Sequence, residues 1–247
     1  MAGKNPGPST LAGLKWLAQV GPSPLEAFGA AMGWGQATAY SHAQRLRAEG
    51  WAEACRRVRG DGSLVYASRT GVRLSGVDAA VMNRKPTAVS WPHYESCAWT
   101  AAWLTARGRG MLGPREMLLR RDWRADLHWY EHGETRKRGH RPDLAGRLPD
   151  GALLPIEVEL RDKSRTRLRA VLGLHTRWID SGMSPAVMYV CASDPIAGHV
   201  REEGESAGLS VEDGTLRVEL LDTIKQEAVR ACAARSKEWH LIARGVV

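Results

Sequence analysis

The apolar residues of this chain change their spacing several times, and each change marks an element. Leu11, Leu14, Leu17 and Ala18 recur at helical spacing behind Ser9 or Thr10 as an N-cap, and the run stops at Gly21-Pro22. Ser23 precedes Pro24 at a first helical position, and Leu25, Phe28 and Met32 form a second stripe that ends at Gly33. A third stripe is thin, because only Ala39, Ala43 and Leu46 face inward while Gln36, Thr38, Tyr40, Ser41, His42 and Arg45 look outward. After Gly50-Trp51 come two short strand-like runs joined by a Gly-Asp-Gly turn, with Arg56, Arg57 and Arg59 on its approach. TGVRLSG at 70–76 supplies a short closing element.

Residues 77–92 keep no steady period and read as a linker, with a short helix at its start. Beyond it, Tyr94, Cys97, Ala98, Ala101 and Leu104 lie at helical spacing, with Trp99 and Trp103 read as core. Pro114 begins a second helix, PREMLLRRDW. A strand at ADLHWYE, a charged turn and two further strands, RPDLAG and LLPIEVEL, follow. Leu168, Val171, Leu172, Leu174 and Trp178 give the next helix its apolar face. The run AVMYVCAS reads as a strand buried on both faces. A helix at 195–207, a strand at 215–223 and a helix at 225–239 close the chain. Helices and strands in this order predict an α/β fold, a mixed sheet with covering helices.

Charge narrows the partners. The net charge is +8, divided as +5 over 1–75, +4 over 76–150 and −1 over 151–247, so the positive excess lies in the first two thirds and favours a polyanion. The four cysteines form no CxxC pair and no disulfide-style framework, which fits a reducing, cytoplasmic setting. The opening MAGKNPGPST leads into no signal-peptide core. No apolar run approaches the roughly 20 residues of a membrane span, so no membrane partner is expected.

The candidate chemistry is concentrated in HRPDLAGRLPDGALLPIEVELRDKSRTR, residues 140–167. On a strand, Glu157 and Glu159 share a face with Leu153 and Pro155, while Ile156, Val158 and Leu160 turn to a core. Two carboxylates on one face repel unless a cation lies between them. A divalent metal is the economical candidate, with Asp143 of the neighbouring strand as third ligand. The alternative leaves Asp143 in a turn and pairs Glu157 and Glu159 with Arg161, Arg165 or Arg167 at a surface. Arg136, Lys137, Arg138, His140 and Arg141 would either bracket a phosphate backbone or form a solvated turn.

Three resemblances follow from these residues. Three helices plus a hairpin over 1–76 resemble the winged helix-turn-helix family. This implies double-stranded DNA as partner, base edges read by Gln36, Thr38, Tyr40, Ser41, His42 and Arg45, and phosphates held by Arg56, Arg57 and Arg59. Winged-helix proteins often dimerise, so a homodimer is admitted, although no heptad or long apolar seam specifies one. Pro142-Asp143 followed by Glu157-Val158-Glu159, in this order of elements over 93–247, resembles the PD-(D/E)xK restriction-endonuclease-like superfamily. That resemblance implies Asp143 and Glu157 as ligands of Mg2+ or Mn2+ and Glu116 as an assisting helix acid. It departs at Glu159, where the superfamily has Lys, and Lys163 or Arg161 would have to supply the missing charge. The catalytic candidates are therefore Glu116, Asp143, Glu157, Glu159 and Lys163. The whole layout also resembles the replication-relaxation proteins of plasmids and integrative elements. It implies DNA binding in replication or mobilisation, with nicking or cleavage through metal-activated water. A non-catalytic DNA-binding regulator or replication accessory factor with a degenerate nuclease-like domain is the alternative, and Glu159 in place of Lys favours it.

Overall fold

In the computed structural model, which describes residues 6–56, 62–82 and 85–243 (236–243 by their backbone alone), the N-terminal stripes become α1 (Pro8–Val20), β1 (Ser23–Pro24), α2 (Leu25–Met32), α3 (Gln36–Ala48), β2 (Ala52–Arg56), β3 (Ser63–Ala67) and α4 (Arg69–Ser75). Pro8 opens α1 where a missing N–H costs nothing, and Gly33 ends α2 in the left-handed conformation at φ 72°. Phe28 joins the first two helices, with its ring centroid 5.9 Å from Trp16 and 5.4 Å from Trp34. β3 pairs antiparallel with both β1 and β2. Gly71 is where α4 crosses this sheet: a Cβ there would lie 1.9 Å from the Trp51 carbonyl oxygen, so the crossing requires glycine.

The rest of the chain forms α5 (Trp91–Ala106), β4 (Met111–Leu112), α6 (Pro114–Met117), β5 (Ala125–Glu131), β6 (Glu134–His140), β7 (Leu144–Arg147), β8 (Leu153–Glu159), α7 (Arg165–Asp180), β9 (Val187–Cys191), α8 (Asp194–Ser206), β10 (Leu216–Leu220) and α9 (Leu221–Ala243). Five strands make one sheet in the order β10-β9-β8-β7-β4. β8, β9 and β10 run parallel, while β7 is antiparallel to both β8 and β4. The expected mixed α/β sheet is present. β5 and β6 form a separate antiparallel hairpin.

Helix α5 is buried almost all round, as expected of a helix in the interior rather than on a surface. Its small residues Ala98, Ala101 and Ala102 let α2 and α9 approach closely, and its remaining face meets the sheet. One continuous cluster of buried apolar side chains therefore runs from Leu14, Leu17 and Phe28 through α5 to Leu144, Ile156, Val158, Met188 and Val190, and on to Ile224 and Ala228. The opposite face of the sheet is covered by α7 and α8, against which Val187, Tyr189 and Cys191 pack with Leu168, Leu172 and Val200. β8 thus has Ile156 and Val158 in one layer and Glu157 and Glu159 in the other, as its alternation requires.

Several expectations need correction. The charged turn is the strand β6, exposed along nearly its whole length; its hydrogen bonds to β5 fix it despite the absence of an apolar period. The helix expected over PREMLLRRDW is a single turn, α6. Among the described residues of 77–92 there is no helix before Trp91. Val77 and Val81 pack on the main core, Met82 packs on a smaller one, and Arg115 Nε donates to the Ala80 carbonyl at 2.7 Å. This connection is pinned to the protein rather than free of it.

Because both ends of the chain share the α5 core, Ala101→Leu should overpack it. The expected cost is about 1–3 kcal/mol, moving a single unfolding transition followed by tryptophan fluorescence and far-UV circular dichroism. Two separate transitions, only one of them shifted, would contradict a shared core.

Candidate functional site

β8 carries the chemistry because its alternation forces Glu157 and Glu159 into the layer under α7, where they are 3% and 6% exposed. Burial of an isolated carboxylate is costly, so each must find a cation or donors. Glu157 has two imidazoles. His140, at the end of β6, places Nε2 2.8 Å from Glu157 Oε1, and His175, in the third turn of α7, places Nε2 3.0 Å from the same oxygen. His175 is fully buried, with its ring edge-on to Trp178 and Tyr189. Its Nδ1 has no protein partner among the described residues. Glu159 is bonded by the ammonium of Lys163, four residues on.

Asp143 stands beside this pair. Its backbone N–H donates to the Ile156 carbonyl at 3.0 Å, continuing the β7–β8 ladder, and its Oδ2 accepts the Val158 N–H at 2.8 Å. Its Oδ1 lies 3.1 Å from Nε2 of His93, on the first turn of α5, and Cys97 Sγ lies 3.6 Å from the same imidazole nitrogen.

The protonation states follow from these contacts. Burial opposes the charge on Glu157, but His140 and His175 outweigh it and hold the carboxyl well below its ordinary range. Burial lowers His140 while Glu157 raises it, and the carboxylate wins, so His140 is raised. Burial dominates at His175, which is lowered and stays a neutral ring. The bond to Asp143, with Cys97 beside it, pushes His93 up to about 11. Burial raises Glu159 despite Lys163, and it raises the Cys97 thiol, which makes that sulfur a poor nucleophile.

His93, His140 and the three carboxylates line an open cavity of about 750 Å³, with His175 and Cys97 buried behind them. Asp143, Glu157 and Glu159 lie on its floor, while Arg138, Arg141, Arg161, Lys163 and Arg167 line it with positive charge. Arg167 is steadied 5.7 Å over the Trp129 ring. An acidic floor with a basic wall suits a phosphate ester approached by a divalent cation. Among the described residues, His140, Glu157 and His175 bring ligand atoms within 4.8 Å of one another, and Asp143 and Glu159 line the same cavity, so both imidazole nitrogen and carboxylate oxygen are available to a cation.

Asp143, Glu157, Glu159 and Lys163 are thus gathered as the sequence led us to expect, and Glu157 and Glu159 are not surface partners of Arg161, Arg165 or Arg167. Glu116 is not among the cavity's lining residues. Its carboxylate caps its own helix by accepting the Gly113 N–H at 2.8 Å, and it receives Gln19 Nε2 at 3.3 Å. On α3, Gln36, Thr38, Tyr40, Ser41 and Arg45 are exposed, as is Arg56 on β2. His42 does not look outward; it is half-buried, stacked on Trp34 with centroids 4.0 Å apart. Arg57 and Arg59 lie outside the described residues. The sequence reading missed His93 and His175 and placed His140 only in a basic cluster. His175 stood three residues from Leu172 and Trp178, on the apolar stripe of α7, where a polar side chain must be satisfied from within.

Glu157→Ala strips the cavity floor of the anion that both imidazoles share, and should lower stability to urea by about 3 kcal/mol. A folded variant as stable as the wild type would mean that the imidazoles do not depend on that carboxylate. Compared with protein-family models, curated proteins and solved structures, the chain has no match, so the site is argued from its own geometry.

Proposed function

We propose that this is a DNA-binding protein whose α/β part hydrolyses or nicks DNA with a divalent metal ion. The observation that carries the proposal is that Asp143, just before β7, and Glu157, on the adjacent strand β8, line one cavity, with the Lys163 ammonium bonded to Glu159 further along β8. Glu159 occupies the position where a PD-(D/E)xK site has its lysine. Lys163 brings the cation back from the connection between β8 and α7, so the charge pattern of that superfamily is recovered with a different residue in the lysine role.

Asp143 and Glu157 would hold the ion. When bound, such an ion neutralises phosphate charge and lowers the pKa of a bound water from about 15.7 towards neutrality. The remaining work belongs to the chain. Lys163 presents an ammonium to charge that develops on the phosphoryl oxygens, and Arg138, Arg141, Arg161 and Arg167 hold flanking phosphates along the cavity wall. The β7–β8 ladder and the Val158 N–H fix the position of Asp143 at the cavity.

The N-terminal helices and the β2–β3 hairpin fit a winged helix-turn-helix that delivers DNA. α3 exposes Gln36, Thr38, Tyr40, Ser41 and Arg45 together, the arrangement required to enter a major groove. Action in the replication or mobilisation of a plasmid or integrative element, as for replication-relaxation proteins, is the corresponding role. A second reading, a non-catalytic DNA-binding regulator or accessory factor, is favoured by the closed His140–Glu157–His175 contact, which satisfies Glu157 without any metal.

Incubation with supercoiled and linear DNA in Mg2+ or Mn2+ separates the two. Asp143→Ala and Glu157→Ala should each lower cleavage by about a hundredfold or more, and Lys163→Met should lower it with DNA affinity retained. Equal cleavage by wild type and all three variants would sink the nuclease reading. For the reader helix, Arg45→Ala should weaken DNA binding and reduce the slope of log K against log salt by about 0.9. An unchanged slope would remove Arg45 from the DNA interface.

A further inference from the structure

The least explained feature of the cavity floor is that two imidazoles converge on one carboxylate oxygen. His140 Nε2, Glu157 Oε1 and His175 Nε2 all lie within 4.8 Å of one another, and they come from β6, β8 and α7. Three rigid elements have each contributed one donor to a single point. A carboxylate that needed only neutralising could have been served by one arginine or lysine, several of which line the same cavity. We propose that His140, Glu157 and His175 are a binding site for a borderline first-row divalent ion of the Zn2+ class, selected over Mg2+ by its two nitrogen ligands.

Ligand chemistry, access to solvent and rigidity of the donors all favour such an ion. First, imidazole nitrogen suits Zn2+ and its neighbours, whereas Mg2+ demands near-octahedral oxygen and keeps its waters. Second, His140 and Glu157 line the open cavity while His175 is wholly buried behind them, so a bound ion would be held from below with coordination positions left towards solvent. Three protein ligands with an open side is the arrangement of a reactive rather than a structural metal centre. Third, the donors are held in place: β5 pairs with β6 up to His140, the sheet fixes Glu157, and the edge contacts to Trp178 and Tyr189 fix the His175 ring. The ion would replace the hydrogen bonds that the two imidazoles now make to Glu157.

The site shares Glu157 with the phosphodiesterase reading but does not rest on it. Isothermal titration of the full chain, freed of metal with chelator, tests it with Zn2+, Mn2+ and Mg2+ in separate runs. The expected result is one site that takes Zn2+ at least about a hundredfold more tightly than Mg2+. His140→Asn, at a half-buried position where folding is retained by circular dichroism, should weaken Zn2+ by at least about tenfold, and His175→Gln, where it folds, should do the same. No Zn2+ binding by the wild type, or unchanged binding by folded His140→Asn, would overturn the proposal; the second outcome would also expose binding at the chain's free thiols, which that variant leaves intact. A protein that cleaves DNA in Mg2+ yet takes up no Zn2+ would keep the phosphodiesterase reading and lose this one.

Discussion

A carboxylate placed in the interior of a sheet persists only if its surroundings supply the donors that water would have supplied, and Glu157 is such a group. Strand β8 cannot avoid it. The same alternation that sends Ile156 and Val158 into the α5 core sends Glu157 and Glu159 beneath α7. The elements around β8 carry the compensation: β6 ends in His140, α7 brings His175, and the connection between β8 and α7 returns Lys163 to Glu159. The position of the hairpin, the entry to α7 and the charge of the cavity floor are therefore coupled through two acidic side chains.

This coupling separates the molecule into a stabilising side and a chemical side of one sheet. Towards α5 and α9 the contacts are apolar and continuous with the N-terminal helices, so the exposed face of α3 and the cavity belong to a body with a common core. Towards α7 the layer is mixed. Leu168, Leu172 and Tyr189 pack conventionally, and the buried charges collect at the end of β8 beside them. Concentrating buried charge at one end of an otherwise apolar layer has a stability cost, and such a cost is commonly retained where charge performs chemistry.

The sequence made the strand and its acids legible because LLPIEVEL combines a strand period with two carboxylates on one phase, and because Pro142-Asp143 marks the entry to the strand paired with it. The helices were legible where their stripes were broad, as in α1 and α7. α5 was legible as a helix but not as the centre of the core, since its burial comes from Ala98, Ala101 and Ala102, whose small size gives little periodic signal. β6 was read as a turn because an exposed strand of polar and basic residues has no apolar period, and only its pairing with β5 defines it. The histidines were hardest. A lone His on an apolar stripe is usually an ordinary satisfied core residue, and the convergence of His140 with His175 depends on contacts between residues far apart in the chain. Glu116 failed as a site residue for a local reason: an acid at the third position of a helix closes most easily onto its own N-terminus.

The central claim is that the acidic end of β8 receives a divalent cation. Crystals of the metal-free protein soaked in Mn2+ and measured at the manganese absorption edge locate the ion without reference to activity. The expected result is an anomalous peak within about 2.5 Å of a Glu157 oxygen, with either Asp143 or the two imidazoles completing its ligands. A map with no peak at β8, and with His140 and His175 still closed on Glu157, would contradict the account.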